Sequence, residues 1–170
     1  MSLYGITISG NSHIKDPEFT EKIEKALKLL DSKSNSHLLT VKTYTKIIRA
    51  AAASGANYNE KEMTIDIAKS TFDASLEWLA SVLVHENNHL KLYKDTGKKY
   101  GDAHKMSDKK AALQVMINEE LACNRIQCEA LRNVGGTEHE INYLKGQKGD
   151  HFDVNKDGKY DSADYGSRNW

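Results

Sequence analysis

Two histidines and a glutamate stand at a spacing that can do chemistry: His85-Glu86-Asn87-Asn88-His89. On a helix, residues i and i+4 share one face a turn apart, so both imidazoles can reach one metal ion. Glu86 then projects about 100° further round the helix. There a carboxylate sits beside the ion, hydrogen-bonds a metal-bound water and takes its proton. Neutral imidazoles suit Zn²⁺, and an open fourth position separates a catalytic site from a structural one. The competing explanation is a pair of histidines on a solvated face. It conflicts with the flanks, because Leu79-Ala80-Ser81-Val82-Leu83-Val84 and Leu90 are core-forming, and polar rings inside a buried segment need partners.

Downstream, Asn118-Glu119-Glu120-Leu121-Ala122 offers two carboxylates for a third ligand. The helical neighbours of Glu119 are Ala112, Val115, Met116, Ala122, Cys123 and Ile126, so it is centred in an apolar stripe. A carboxylate there is costly unless a positive group meets it. Glu120 lies beside Asn124 and Gln127, a more solvated setting. Packing therefore favours Glu119, with Glu120 as the alternative.

A second constellation lies in the tail. Asp153, Asn155, Asp157, Lys159, Asp161 and Asp164 fall at positions 1, 3, 5, 7, 9 and 12 of an EF-hand loop, with Gly158 at position 6. Lys159 offers its carbonyl, and the glycine permits the sharp turn. The pattern predicts Ca²⁺ in a structural role, since aspartate at position 12 is shorter than the bidentate glutamate of sensor loops. The alternative is a solvated acidic tail. Dependence on Ca²⁺ favours a secreted or cell-envelope setting.

The elements that must position these groups follow from periodicity. Leu3 to Ser9 alternates as a first strand, and Glu18 to Leu30 has helical spacing. Asp31 to Ser36 is a polar connection. Tyr44, Ile47, Ile48 and Ala51 suggest a second helix, ended near Ser54-Gly55. Met63, Ile65 and Ile67 share one face of a strand. A helix apolar on most sides runs from about Asp73 to Lys94, capped by Asp73 or Ser75, and such a helix is central to its domain. Another runs from about Ser107 to Arg132, stopped at Gly135-Gly136. From Gly146 onward, glycines and aspartates replace leucines and alanines. The expected organisation is a main domain over 1–145 and a calcium-binding tail over 146–170.

The 170 residues suit one domain, and 24 basic residues balance 24 acidic ones. A neutral chain gives no electrostatic case for a nucleic-acid or anionic-membrane partner. No apolar stretch approaches the roughly 18 to 20 residues of a membrane span. Cys123 and Cys128, five apart on one helix, diverge too far to bridge and are expected as free thiols.

The H-E-x-x-H segment resembles the zincin metallopeptidases, which carry it on their active-site helix. In one branch a glycine after the second histidine turns the chain back toward a further ligand. Here Leu92 replaces that glycine, so the helix should run on and Asp95 is disfavoured. The gluzincin branch takes a glutamate from a second helix in patterns such as N-E-x-x-A, which Asn118-Glu119-Glu120-Leu121-Ala122 matches. The resemblance implies an α+β fold: a small mixed sheet packed on the central H-E-x-x-H helix, with a second long helix carrying the glutamate. It implies His85, His89 and Glu119 on Zn²⁺, and peptide-bond hydrolysis by Glu86-assisted attack of a zinc-bound water. The oxyanion donor would come from Tyr93, His104, His139 or Tyr143, and the substrate-pairing edge strand would be Met63 to Ile67. The tail resembles dockerin-type calcium loops. Two other readings are a calcium-dependent binding module with a non-catalytic metal site, and a peptidase effector domain of a longer polypeptide.

Overall fold

The computed structural model describes residues 1–59 and 62–166. Its strands are β1 (Ser2–Leu3), β2 (Ile6–Ser9), β3 (Ile47–Ala50), β4 (Gly55–Asn59) and β5 (Glu62–Ile67). They form one mixed sheet in the order β1-β2-β3-β5-β4, with β2, β3 and β5 parallel and the two edges antiparallel. The helices are α1 (Asp16–Lys33), α2 (Asn35–Tyr44), α3 (Lys69–Asp73), α4 (Leu76–Thr96), α5 (Lys109–Val134), α6 (Glu138–Lys145) and α7 (Ser162–Gly166), with a 3-10 turn over Tyr100–Lys105. The fold is α+β with a small mixed sheet, as expected.

Three expectations about the sheet change. Leu3 to Ser9 is a hairpin rather than one strand. Tyr4 (φ 53°) and Gly5 (φ 81°) both lie in the left-handed region, the backbone that a two-residue turn needs to match strand twist. The expected second helix divides: the helix is α2, ending at Tyr44, while Ile47 and Ile48 belong to β3. Their periodicity is ambiguous over so short a run. Parallel pairing on both sides, Ile48 with Ile8 and with Ile65, makes the segment a central strand. Met63 to Ile67 is likewise internal, lying between β3 and β4, so the edge strand is β4.

Ile6, Ile8, Ile48, Ile65 and Ile67 bury one sheet face against α1 and α4 through Phe19, Ile23, Leu27, Leu79 and Leu83. Helix α4 is buried over most of its circumference and α5 packs along it. No helix among the described residues is long and apolar enough to cross a membrane.

Of the two expected caps for α4, Ser75 serves: its Oγ accepts from the Trp78 N–H. The same Oγ donates to Glu140 Oε1 at 2.5 Å, while Glu140 Oε2 accepts from the Thr137 backbone at 2.8 Å in a capping box. Partial burial works to raise the Glu140 carboxyl, but these hydrogen bonds overcome it and hold the group low. A carboxyl depressed in the folded state adds stability above its unfolded pKa of about 4.3, and that stability is lost as pH falls through the lower folded value. Glu140→Gln is therefore expected to lower the unfolding free energy measured in urea at neutral pH by no more than about 0.5 kcal/mol, because solvent screens this largely exposed carboxylate. The gap from wild type should narrow below pH 4. A gap independent of pH would mean that the carboxylate charge plays no part.

Candidate metal centre

His85 and His89 face each other from successive turns of α4, with Nε2 atoms 3.2 Å apart. Glu120, on α5, spans both rings: Oε1 is 3.4 Å from His85 Nε2, and Oε2 is 3.5 Å from His89 Nε2. All three are buried, at 7%, 1% and 8% exposure. The expected ligand Glu119 lies elsewhere. Its Oε1 is 3.1 Å from His89 Nδ1, on the opposite edge of the ring. Glu120 thus faces the Nε2 pair, while Glu119, the carboxylate favoured from the sequence, meets the Nδ1 edge of His89.

The two carboxylates have complementary effects. Glu119 Oε1 meets the Nδ1 edge of His89, so a proton on that nitrogen would be donated to the carboxylate. No equivalent partner meets His85, whose Nδ1 is buried without a hydrogen bond among the described residues. Burial by itself would raise the Glu120 carboxyl, but hydrogen bonds from His85 and His89, and their charge, hold it far below the usual range. Burial likewise opposes charging His89, yet Tyr100, Cys123 and Glu119 push it well up.

Cys123 also lies close: its ligand atom and those of His85 and His89 fall within 4.8 Å of one another. Its Sγ approaches the Nδ1 edge of His89 at 3.4 Å and accepts from Asn88 Nδ2. An ion held by the facing Nε2 atoms is therefore on the wrong side of the ring for this sulfur. Burial pushes the Cys123 thiol up, against the pull of His89. Both cysteines are free, as expected, and both are buried. Asp95 stays on the uninterrupted helix, paired with Lys91 at 2.6 Å.

The Nε2 atoms open into a cleft of about 300 Å³ lined by Glu86, Gly55, Tyr100, His151, Phe152 and Val154, among others. Burial pushes the Glu86 carboxyl up, against the nearby His85 and His89, and Glu120 and Asp66 add to the rise. A carboxylate with a raised pKa is a stronger base. A groove of about 270 Å³ along β4 shares Ser54, Gly55 and Tyr100 with this cleft, so the edge strand leads to the ring pair.

None of the expected oxyanion donors lines the cleft. Tyr93 packs on Tyr58, His104 bonds the Gly101 carbonyl and stacks on Tyr165, and Tyr143 rests against Trp78. His139 is exposed on α6. Tyr100 and His151 occupy the cleft instead. Tyr100 lies over His89 with ring centroids 4.7 Å apart and planes 14° from parallel. No periodicity marks either residue; only the docking of the 3-10 turn and the tail brings them there.

In the tail, Asp153 accepts from the Asp157 and Gly158 N–H groups, and Asp164 accepts from those of Val154 and Asp161. Lys156 and Gly158 have positive φ, and Asp153 and Asp164 are buried. Asn155 accepts from Asp157 N–H, Asp157 from Lys159 N–H, and Asp161 from Ala163 N–H. The expected positions from Asp153 to Asp161 lie along a loop that these bonds close onto Asp164 at the start of α7, though among the described residues their carboxylates do not gather into a metal-sized cluster. Tyr160 and Phe152 anchor it in a cluster with Ala103, Ala112, Leu113 and Met116. No family model matches the chain, no curated protein matches its sequence, and no solved structure matches its fold.

Proposed function

We propose that the chain is a zinc-dependent metallopeptidase of gluzincin-like type, with Ca²⁺ held in the tail loop. The observation that carries the reading is one buried carboxylate, Glu120, spanning two facing Nε2 atoms, with a second carboxylate, Glu86, in the adjoining cleft. His₂Glu is a donor set used by catalytic zinc. His85, His89 and Glu120 would hold the ion, and Glu119 would orient His89. When bound, Zn²⁺ polarises a carbonyl and acidifies water.

The chain's own groups supply the rest. Open β4 gives an extended peptide a backbone edge to pair with, and the shared groove brings that peptide to the ring pair. Glu86 takes the proton of the attacking water and returns it to the departing amine, a role suited to its raised pKa. Tyr100 covers His89 and excludes solvent from that ring. His151 stands in the cleft as a donor toward the developing oxyanion. In the tail, Asp153, Asn155, Asp157, Asp161 and Asp164, with the Lys159 carbonyl, would hold Ca²⁺ and fasten the loop to α5.

Elemental analysis of the purified protein tests both ions. One zinc and one calcium per chain are expected. A zinc-selective chelator should abolish casein hydrolysis and added Zn²⁺ restore it. Calcium removal should lower the melting temperature while zinc remains. Protein free of zinc that still cleaves casein overturns the hydrolase reading, and an unchanged melting temperature overturns the calcium assignment.

A further inference from the structure

A cavity of about 450 Å³ lies between α5 and the end of α6, and it shares no lining residue with the metal cleft. Helix α5 supplies Asn124, Arg125, Cys128, Glu129 and Arg132 at spacings of three and four, so they share one face. Lys145 and Gln147 close the cavity from the other side. Cys128 and Leu144, 6% and 4% exposed, belong to an apolar cluster and form a buried floor. Folding accounts for that floor but not for two features above it. Asn124 lines the cavity at 8% exposure, yet its side-chain amide makes no hydrogen bond among the described residues. A nearly buried amide costs free energy until a partner enters to meet it. The second feature is charge. Lys25, Lys28, Lys69 and Lys91 each pair with an acid one turn away. Arg125 and Arg132 each have Glu129 one turn away and do not pair with it, and Lys145 pairs with no acid among the described residues. Three basic side chains thus face one acidic one in the same hollow.

We propose that this cavity binds a small phosphate monoester, with the phosphoryl group between Arg125 and Arg132 and the organic part against Asn124. Planar guanidiniums match phosphate oxygens two at a time, and charge-assisted bonds of this kind are the strong ones. The two arginines stand two turns apart, about 10.5 Å along the helix axis, so their long side chains close on an anion between them from either side. Lys145 adds charge from α6 without fixing geometry. The amides of Asn124 and Gln147 each offer a donor and an acceptor, which suits hydroxyls or ring nitrogens rather than a second charge. Cys128 and Leu144 give the organic part an apolar floor, and a bare inorganic anion would leave most of the space unused. The volume lies in the range of small-molecule sites. The assignment does not depend on the peptidase reading.

Calorimetric titration at fixed ionic strength tests the site, with ribose 5-phosphate, AMP and inorganic phosphate as probes. Wild type should bind at least one monoester with a Kd below about 1 mM, and inorganic phosphate about tenfold more weakly. Arg125→Ala and Arg132→Ala, both at exposed positions, should each weaken the monoester by about ten- to a hundredfold, since each removes a charged hydrogen-bonding partner. Asn124→Ala should weaken the monoester by about fivefold or more and leave inorganic phosphate within about threefold. That split separates recognition of the organic part from attraction to charge. No binding of either monoester up to about 10 mM overturns the proposal. So does an affinity that both arginine variants leave unchanged, the result expected of phosphate held at the metal centre instead. Inorganic phosphate bound as tightly as the monoesters overturns the ligand class.

Discussion

Replacing Glu86 with glutamine is expected to lower peptide hydrolysis by about 10²- to 10⁴-fold, the usual contribution of a general base, while zinc stays at one equivalent. Glutamine keeps the shape and hydrogen-bonding reach of the side chain but cannot carry the proton. Zinc should stay because the ion pairs of the two rings are with Glu119 and Glu120, not Glu86. KM should change little, since no binding group is lost, so the effect falls on kcat. Glu86→Asp retains a carboxylate drawn back from the cleft and should keep part of the activity. Activity within tenfold of wild type for the glutamine variant would remove Glu86 as the base. Parallel loss of zinc and activity would instead make it a ligand.

The second large effect separates two adjacent glutamates. Glu120→Gln is expected to weaken Zn²⁺ by about 10²- to 10³-fold, taking one ligand's share of the roughly 10–16 kcal/mol typical of zinc sites. Glu119→Gln should cost about ten- to a hundredfold, the range for a group that orients a liganding histidine. The distinction follows from which edge of His89 each carboxylate meets, Nε2 for Glu120 and Nδ1 for Glu119. Competition with a chromophoric chelator measures both. A larger loss from Glu119→Gln would return the ligand role to Glu119 and require α5 to rotate about its axis.

On periodicity Glu119 is the deeper carboxylate, because its helical neighbours are apolar and those of Glu120 are polar. The polar neighbours of Glu120 are themselves buried: Asn124 is 8% exposed and Gln127 is 3%. Gln127 donates to Ser81 Oγ across the interface, and Asn88 bonds Cys123. The α4–α5 contact is thus a polar seam within a core, which hydrophobic periodicity cannot see. Val115, one turn before Glu119, is 41% exposed. A similar limit applies to β3, where four residues are too few for period to separate helix from strand and only the flanking strands decide.

The amino-acid order alone settled what is local. It placed two imidazoles one turn apart with a carboxylate between them, made α4 apolar enough to be central, and set the loop offsets around Gly158. Each of these depends on contacts within about a dozen residues, where backbone geometry converts spacing directly into position. Tertiary structure decided which α5 glutamate meets the Nε2 pair, which strand lies at the sheet edge, and which aromatic residues enter the cleft. Those outcomes depend on how α4, α5 and the tail are rotated and packed against one another. Such rotations are set by the summed burial of many side chains, and no single spacing in the chain encodes them.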